Sequence, residues 1–130
     1  MEAGKIIAIV DDDESVRESL SGLIESFGLA AKSFGSAEEY IRSGQVGQTA
    51  CAVLDVRLPG MSGLELQRLL SRSNPVPVVL ISAHADGRTR TEALAGGAID
   101  LLMKPFSEEE LLGALRIALE RSSGKTPGLS

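Results

Sequence analysis

Short apolar runs alternate along this chain with segments in which apolar residues recur at helical spacing. The runs are rich in valine, isoleucine, leucine and alanine, a pattern typical of strands that are covered on both faces. The segments that predict strands are 6–10, 29–34, 50–54, 76–81 and 98–103. A helical pattern follows each of them, so five strands alternate with five helices. This order predicts an α/β fold with a doubly wound, five-stranded parallel sheet and helices on both faces.

Three of the predicted helices begin with the same signal, a serine followed three residues later by a glutamate. This pattern predicts capping boxes at Ser36, Ser62 and Ser107. Gly28 is expected to end the first helix, as a glycine commonly does at the position after a helix. The helix predicted over 87–95 carries few apolar residues, so few buried contacts are expected to hold it.

The composition is that of an ordinary globular domain. The 130 residues are 43% hydrophobic and 24% charged, which suits one domain and leaves no room for a second. A single cysteine excludes an internal disulfide, and a net charge of −5 argues against direct binding of nucleic acid. No apolar run approaches the roughly 20 residues of a membrane span, and no signal peptide is recognisable. We therefore expect a cytoplasmic domain over 1–121, followed over 122–130 by a flexible tail or the start of a linker.

Chemically active residues follow four of the five predicted strands. Asp11 and Asp12 come after the first strand, Asp55 after the third, Ser82 after the fourth and Lys104 after the fifth. Because ligands bind at the carboxyl ends of the strands in sheets of this kind, we expect these side chains to gather at one edge. Clustered carboxylates stay ionised at low cost only around a cation, and oxygen ligands favour Mg²⁺. A metal, an ammonium and a hydroxyl group together suit a phosphoryl group, for which Asp55 is the natural acceptor.

Four segments, each at a strand end, look like the signature motifs of two-component response-regulator receiver domains. They are Val10-Asp11-Asp12-Asp13-Glu14, Val53-Leu54-Asp55-Val56-Arg57-Leu58-Pro59-Gly60-Met61-Ser62-Gly63, Ile81-Ser82-Ala83 and Lys104-Pro105-Phe106. Each motif alone is weak evidence for this family, but the four motifs in this order are specific to it. The resemblance extends from about residue 5 to residue 121. It implies a flavodoxin-like (βα)5 fold with strand order 2-1-3-4-5.

The resemblance implies a metal site built around the acceptor. Asp55 resembles the phosphoacceptor of receivers, and Asp12 and Asp55 would bind Mg²⁺ directly, with Mn²⁺ as an alternative ion. The Arg57 main-chain carbonyl would be a third ligand, and Asp11 would act through water.

The resemblance also implies a phosphoryl pocket. Ser82 resembles the hydroxyl residue that moves to the phosphoryl group, and Lys104 resembles the residue that pairs with it. The backbone at Ala83 and Val56 would line the same pocket. A cis peptide bond is expected between Lys104 and the proline that follows it.

The implied function is a signalling switch rather than a conventional enzyme. A sensor histidine kinase would donate the phosphoryl group, and slow autodephosphorylation would remove it. The surface of the fourth helix, fifth strand and fifth helix would change, controlling a homodimer or an output partner. The segment Ala95–Asp100 looks most like receivers of LuxR-type transcription regulators, which carry a C-terminal DNA-binding domain. We therefore expect either the N-terminal part of a longer regulator or a stand-alone receiver. Leu101 stands where many receivers have an aromatic residue, so a leucine or a shift of the fourth helix would carry the signal.

Three other interpretations are weighed. A haloacid-dehalogenase-like phosphatase also uses an aspartyl nucleophile, but it needs a second acid two residues later, where this chain has Arg57. A flavodoxin-type flavin domain needs a hydroxyl- and glycine-rich loop after the first strand, where this chain has aspartates. A receiver that no longer accepts phosphate and works by contact alone is disfavoured by the complete set of site residues, and stays open.

Overall fold

The computed structural model of the chain describes residues 5–73 and 75–122. These residues form five β-strands and five α-helices, with a short 3-10 helix at Val46–Gln48. The strands are β1 (Ile6–Val10), β2 (Ala31–Phe34), β3 (Thr49–Asp55), β4 (Val78–Ser82) and β5 (Asp100–Met103). The helices are α1 (Glu14–Ser26), α2 (Ala37–Arg42), α3 (Gly63–Ser73), α4 (Gly87–Ala95) and α5 (Glu108–Ser122). All strand pairs are parallel, and their order is β2-β1-β3-β4-β5, as predicted.

Two apolar layers, one on each face of the sheet, hold the helices in place. The central strands β1, β3 and β4 are buried at every position. One layer joins the sheet to α2, α3 and α4 through residues such as Tyr40, Leu66 and Ala93. The other layer joins it to α1 and α5 through residues such as Ile24 and Leu115. Burial on both faces explains why the central strands read as continuous apolar runs, and it confirms the doubly wound sheet.

The edge strands β2 and β5 each begin two residues later than the apolar pattern predicts. Leu29 and Ala98, where the predicted runs start, instead bond back to the preceding helices. The Leu29 amide donates to the Ile24 carbonyl at 3.4 Å, and the Ala98 amide donates to the Ala93 carbonyl at 3.1 Å. Strand β4 likewise begins after Pro77, whose ring nitrogen has no hydrogen to donate to the ladder.

The predicted helix caps are present, with one difference. At Ser62 and Ser107 the serine hydroxyl and the glutamate carboxylate each accept from the other residue's amide, at 2.9 to 3.1 Å. At Ser36 the hydroxyl accepts from the Glu39 amide, but the Glu39 carboxylate accepts from the Gly35 amide instead. Local sequence therefore sets the start of all three helices.

The buried face of α3 does not include all of its leucines. Leu69 is 39% exposed. The buried residues of α3 are Gly63, Leu66, Gln67 and Leu70. Leu69 therefore lies beside this buried stripe, and the polar Gln67 is part of it. Helix α4 is as weakly apolar as predicted, and Ala93 is its buried residue.

The predicted domain boundary at residue 121 falls within the last turn of α5, which ends at Ser122. The rest of the predicted tail, 123–130, lies outside the described residues.

Candidate functional site

The carboxyl edge of the sheet brings the predicted charged residues together. β1 ends immediately before Asp11 and Asp12, and β3 ends on Asp55. One carboxylate oxygen from each of these three residues lies within 4.8 Å of the other two. The ammonium of Lys104, which directly follows β5, lies 3.1 Å from Asp11 Oδ2 and 3.1 Å from Asp55 Oδ2. The gathering predicted from the strand ends is therefore present.

Asp11 and Asp12 differ in burial although they are adjacent in sequence. Asp11 is fully buried, and both of its carboxylate oxygens have partners. Oδ1 accepts from the Asp13 amide at 2.9 Å, and Oδ2 accepts from Lys104. Arg17, on α1, donates to the Asp11 carbonyl at 2.8 Å and so holds the backbone of this loop. Asp12 is exposed, so its carboxylate is the one that solvent ions reach most directly.

Asp55 is 7% exposed and accepts hydrogen bonds at both carboxylate oxygens. Oδ1 accepts from the Arg57 amide at 2.9 Å, and Oδ2 accepts from Lys104 at 3.1 Å. Burial raises the pKa of Asp55, and the charge of Asp11 acts in the same direction, while the two hydrogen bonds oppose them. A further positive charge at this position would therefore favour the ionised form of Asp55.

Lys104 is held between the acids by both its side chain and its backbone. Burial acts against its ammonium, but the hydrogen bonds to Asp11 and Asp55 outweigh burial and raise the pKa of Lys104. Its amide donates to the Ser82 carbonyl at 2.8 Å, which aligns the end of β5 with the end of β4. The peptide bond between Lys104 and Pro105 is cis, as predicted.

Ser82 is the last residue of β4 and is 1% exposed. Its hydroxyl donates to the His84 carbonyl at 2.5 Å and accepts from the His84 amide at 3.1 Å. Within the described chain, its hydroxyl therefore bonds to its own loop and makes no hydrogen bond to Asp55. Ala83, which follows it, is exposed.

The two amides that follow Asp55 have different partners. The Val56 amide donates to the Ile81 carbonyl at 2.9 Å and so extends the pairing of β3 with β4. The Arg57 amide, not the Val56 amide, faces the Asp55 carboxylate. That the Val56 backbone lines a phosphoryl pocket stays a prediction. The Arg57 side chain is exposed.

The loop from β3 to α3 depends on Gly63, the last residue of the second motif, and on Glu38, which lies outside the motifs. A Cβ at Gly63 would lie 2.1 Å from the Asp55 main-chain oxygen, so a residue without a side chain is needed there. Glu38 reaches the loop from α2, and its Oε2 accepts from the Met61 amide at 2.9 Å. The sequence pattern marks neither Glu38 nor Arg17, because one charged residue on an exposed helix face has no distinguishing signal.

The charges of the site fit a divalent cation. Three carboxylates face one ammonium, so two negative charges remain uncompensated when all four groups are ionised. The ligands are all oxygens, which hard cations prefer. The donor set on the carboxyl edge therefore has the composition of a metal site.

A groove of about 460 Å³ lies at the opposite, amino edge of the sheet. Its lining includes Thr49, Gln67 and Val78 but none of the predicted site residues. The predicted chemistry therefore lies on the carboxyl edge and outside this groove.

Comparison with known proteins places the charged groups in a family. Residues 7–116 match the family described as the response regulator receiver domain. The chain belongs to this family. The match includes all four strand-end motifs and therefore every residue of the candidate site.

The curated relatives are longer than this chain. Nodulation protein W of Bradyrhizobium diazoefficiens is 47% identical over 117 residues, covering 89% of this chain and 52% of that protein. Response regulator protein TmoT of Ectopseudomonas mendocina is 48% identical over 118 residues, covering 88% and 53%. Transcriptional regulatory protein FixJ of Azorhizobium caulinodans is 41% identical over 118 residues, covering 90% and 56%. The chain spans about half the length of these relatives.

Solved structures agree with the family assignment. Response regulator StyR has a TM-score of 0.85 and 40% identity, covering 94% of this chain and 62% of that chain. The crystal structure of FixJ-N has a TM-score of 0.81 and 35% identity, covering 92% and 96%. Receiver domains are signalling switches, so the match does not support the phosphatase and flavin-binding interpretations. None of the helices in 5–73 and 75–122 is both long and apolar enough to cross a membrane.

Proposed function

We propose that this receiver is a phosphorylation-controlled signalling switch that accepts a phosphoryl group on Asp55 in a Mg²⁺-dependent reaction. The main support is the position of the Asp55 carboxylate, which lies among two other carboxylates and 3.1 Å from the Lys104 ammonium. A receiver that works by contact alone has no need of this set of charges.

The proposed donor is the phosphohistidine of a sensor histidine kinase, with acetyl phosphate as a small substitute. A carboxylate oxygen of Asp55 attacks phosphorus, an O–P bond forms, and the N–P bond to imidazole breaks. The leaving imidazole takes a proton from solvent. Attack by water on the aspartyl phosphate then releases inorganic phosphate slowly and regenerates the carboxylate.

Asp12 and Asp55 are the proposed direct ligands of Mg²⁺, with the Arg57 carbonyl as a third ligand and Asp11 acting through water. The exposure of Asp12 supports its direct role. The two partners of the Asp11 carboxylate, Lys104 and the Asp13 amide, support an indirect role for Asp11. When bound, Mg²⁺ or Mn²⁺ would neutralise charge on the phosphoryl oxygens.

The phosphoryl pocket is proposed to comprise Lys104, the Ser82 hydroxyl and the backbone at Ala83. Ser82 must exchange its bond to the His84 carbonyl for one to a phosphoryl oxygen. The backbone at Val56 is also proposed to line this pocket, beside the Arg57 amide that faces the Asp55 carboxylate.

The surface formed by α4, β5 and α5 is the proposed output surface. Both helices pack against β5, and each of the three elements carries an exposed large apolar residue. Leu94 on α4 is 45% exposed, Met103 on β5 is 38% exposed, and Ile117 on α5 is 48% exposed. Association of two copies would remove these side chains from water.

Movement of α4, rather than rotation of an aromatic side chain, is the proposed route to this surface. Leu101 is 2% exposed and belongs to the apolar layer beneath α4. Arg90 on α4 donates to the Leu101 carbonyl at 3.4 Å, which connects the helix to β5.

The proposed partners are a sensor histidine kinase, a second copy after phosphorylation, and a C-terminal DNA-binding domain outside this chain. The names and lengths of the relatives support the last of these, since several are transcriptional or response regulators about twice as long. Direct contact of this domain with nucleic acid and insertion into a membrane are not part of the proposal. A cytoplasmic location is part of it.

Incubation with Mg²⁺ and acetyl phosphate, followed by intact mass measurement, tests the acceptor. We expect the wild type and Asp13→Asn to gain one phosphoryl group and Asp55→Asn to gain none. Asp13→Asn is a matched control because Asp13 is the exposed N-cap of α1 and asparagine caps equally well. Uptake by Asp55→Asn would move the acceptor elsewhere, and no uptake by any variant would favour the contact-only receiver.

Sedimentation with and without a beryllofluoride phosphate mimic tests the output surface. We expect the mimic to increase the sedimentation coefficient of the wild type and of Ile41→Glu, but not that of Leu94→Glu. Ile41 is a matched control because it is also an exposed apolar residue, at 36%, but lies on α2. An unchanged coefficient for the wild type would refute output by dimerisation.

A further inference from the structure

Hydrogen bonds of the backbone hold the loop between β3 and α3 at its start, at its end and in between. At its start the Val56 amide donates to the Ile81 carbonyl at 2.9 Å. At its end the Gly63 amide donates to the Val56 carbonyl at 3.0 Å, which closes the loop on itself. Between them, the Met61 amide donates to Glu38 Oε2 at 2.9 Å. The third attachment is the one that reaches a different helix, α2.

Glu38 and Gly60 fit each other closely. Gly60 has φ of +74°, a conformation that favours glycine, and a Cβ there would lie 2.7 Å from Glu38 Oε2. The backbone at Gly60 and Met61 therefore passes directly over the carboxylate. The hydrogen bond from the Met61 amide also lowers the pKa of Glu38, so the ionised form is the one that holds the loop.

The loop held by Glu38 contains Arg57, whose amide faces Asp55 and whose carbonyl is a proposed metal ligand. We propose that Glu38 is a positioning residue for this loop, which sets the Arg57 backbone for metal binding and phosphoryl acceptance. The inference rests on the proposed function, since it names a residue that acts on that site without touching it.

The first test measures the attachment itself, in metal-free protein. Amide hydrogen exchange at Met61 is compared in the wild type, Glu38→Ala, Glu38→Gln and Glu39→Ala. We expect faster exchange in Glu38→Ala alone, because the glutamine amide oxygen still accepts from Met61. Glu39→Ala is the matched control: it removes the neighbouring carboxylate from the same turn of α2, and its bond goes to Gly35. Equal Met61 exchange in all four proteins would overturn the proposal.

The second test measures the consequence for the site. The rate of phosphorylation by acetyl phosphate is recorded against Mg²⁺ concentration, and Mg²⁺ affinity is measured separately by amide chemical shifts. For Glu38→Ala we expect the half-saturating Mg²⁺ to rise about three- to tenfold, less than the 10- to 100-fold typical of losing a group bonded to a ligand itself. The rate at saturating Mg²⁺ should fall by a smaller factor than the Mg²⁺ affinity. A purely structural loss of folded protein would instead lower that rate and leave the half-saturating Mg²⁺ concentration unchanged. Glu38→Gln should restore most of the affinity.

Gly60→Ala provides an independent variant. Alanine at φ of +74° strains the loop backbone in either background, and in the wild type its Cβ also displaces the Glu38 carboxylate. Gly60→Ala should therefore weaken Mg²⁺ binding more in the wild type than in Glu38→Ala. Additive effects of the two substitutions would contradict a shared mechanism.

The outcomes separate this inference from the proposed function. Mg²⁺ binding without phosphoryl uptake by the wild type would refute the proposed function, while the affinity comparison still decides the role of Glu38. Normal uptake, with the same half-saturating Mg²⁺ in Glu38→Ala and Glu39→Ala, would refute the role of Glu38 alone.

Discussion

Replacing Lys104 by methionine tests whether the lysine offsets the acidic cluster. The ammonium lies 3.1 Å from both Asp11 and Asp55, and its side chain is 25% exposed. Removing one partner of a buried ion pair costs about 3–5 kcal/mol, and partial exposure reduces this to about 2–3 kcal/mol here. Such a loss is large against the roughly 5–15 kcal/mol that stabilises a typical domain.

The loss should depend on pH and on Mg²⁺. Lys104 has a raised pKa in the folded state, so its stabilising effect is complete at neutral pH and is lost only in strong alkali. Burial already raises the pKa of Asp55, and without Lys104 it rises further. The folded variant then binds protons more tightly than the unfolded chain, so it gains stability as the pH falls through this pKa. Mg²⁺ should act in the same direction, because it binds the folded state and no longer competes with an ammonium.

Urea unfolding followed by far-UV circular dichroism measures these effects. In EDTA at pH 7.5 we expect the midpoint of Lys104→Met to lie about 1–2 M below that of the wild type, for a slope of about 1.5 kcal/mol/M. The difference should shrink at pH 5 and in excess Mg²⁺. Lys32→Met, which removes an exposed lysine from β2, should leave the midpoint nearly unchanged. A deficit of the same size under all three conditions, or none in EDTA, would refute the reasoning.

Three further predictions concern the loop, α4 and the cysteine. Gly63→Ala should lower the free energy of unfolding by more than about 2 kcal/mol, because its Cβ meets the main-chain oxygen at the end of β3. Gly113→Ala, with open space around it in α5, should raise the free energy of unfolding by about 0.5–1 kcal/mol. Equal urea midpoints for these two variants and the wild type would contradict both expectations. Gln67→Ala removes a buried hydrogen bond of 3.1 Å to the Ala93 carbonyl, so amide exchange across α4 should accelerate, and unchanged exchange would show that this bond does not hold the helix. Burial raises the pKa of Cys51 to about 12, so an aromatic disulfide reagent should react at pH 8 only after urea unfolds the chain; rapid reaction of the folded protein would contradict its burial.

Much of the fold follows from local sequence. The central strands are apolar at every position because helices cover both faces of the sheet, and the serine caps need only residues three apart. The starts of β2 and β5 are not predictable in this way. They depend on whether the amides of Leu29 and Ala98 bond to a neighbouring strand or back to the preceding helix. The apolar pattern is the same in both cases.

Some features of the candidate site are also predictable from the sequence, and others are not. The gathering of Asp11, Asp55 and Lys104 is predictable, because parallel strands end at one edge whatever the details of packing. The different partners of the Val56 and Arg57 amides depend on the register of β3 against β4, which composition does not specify. Glu38 acts through the way α2 packs beside a loop 23 residues later, so it becomes visible only in three dimensions.

The position of Ser82 explains how a small change at the acidic edge can reach α4. Its hydroxyl bonds to the carbonyl and amide of His84, in the loop that leads directly into α4. That helix buries Ala93, and its ion pair from Glu92 to Arg68 on α3 is exposed, so this pair contributes less than about 1 kcal/mol. Exchanging one hydrogen bond at Ser82 involves about 1 kcal/mol, which is comparable with these attachments. Helix α4, which begins at Gly87 shortly after Ser82, is therefore an element that an event at Asp55 can shift easily.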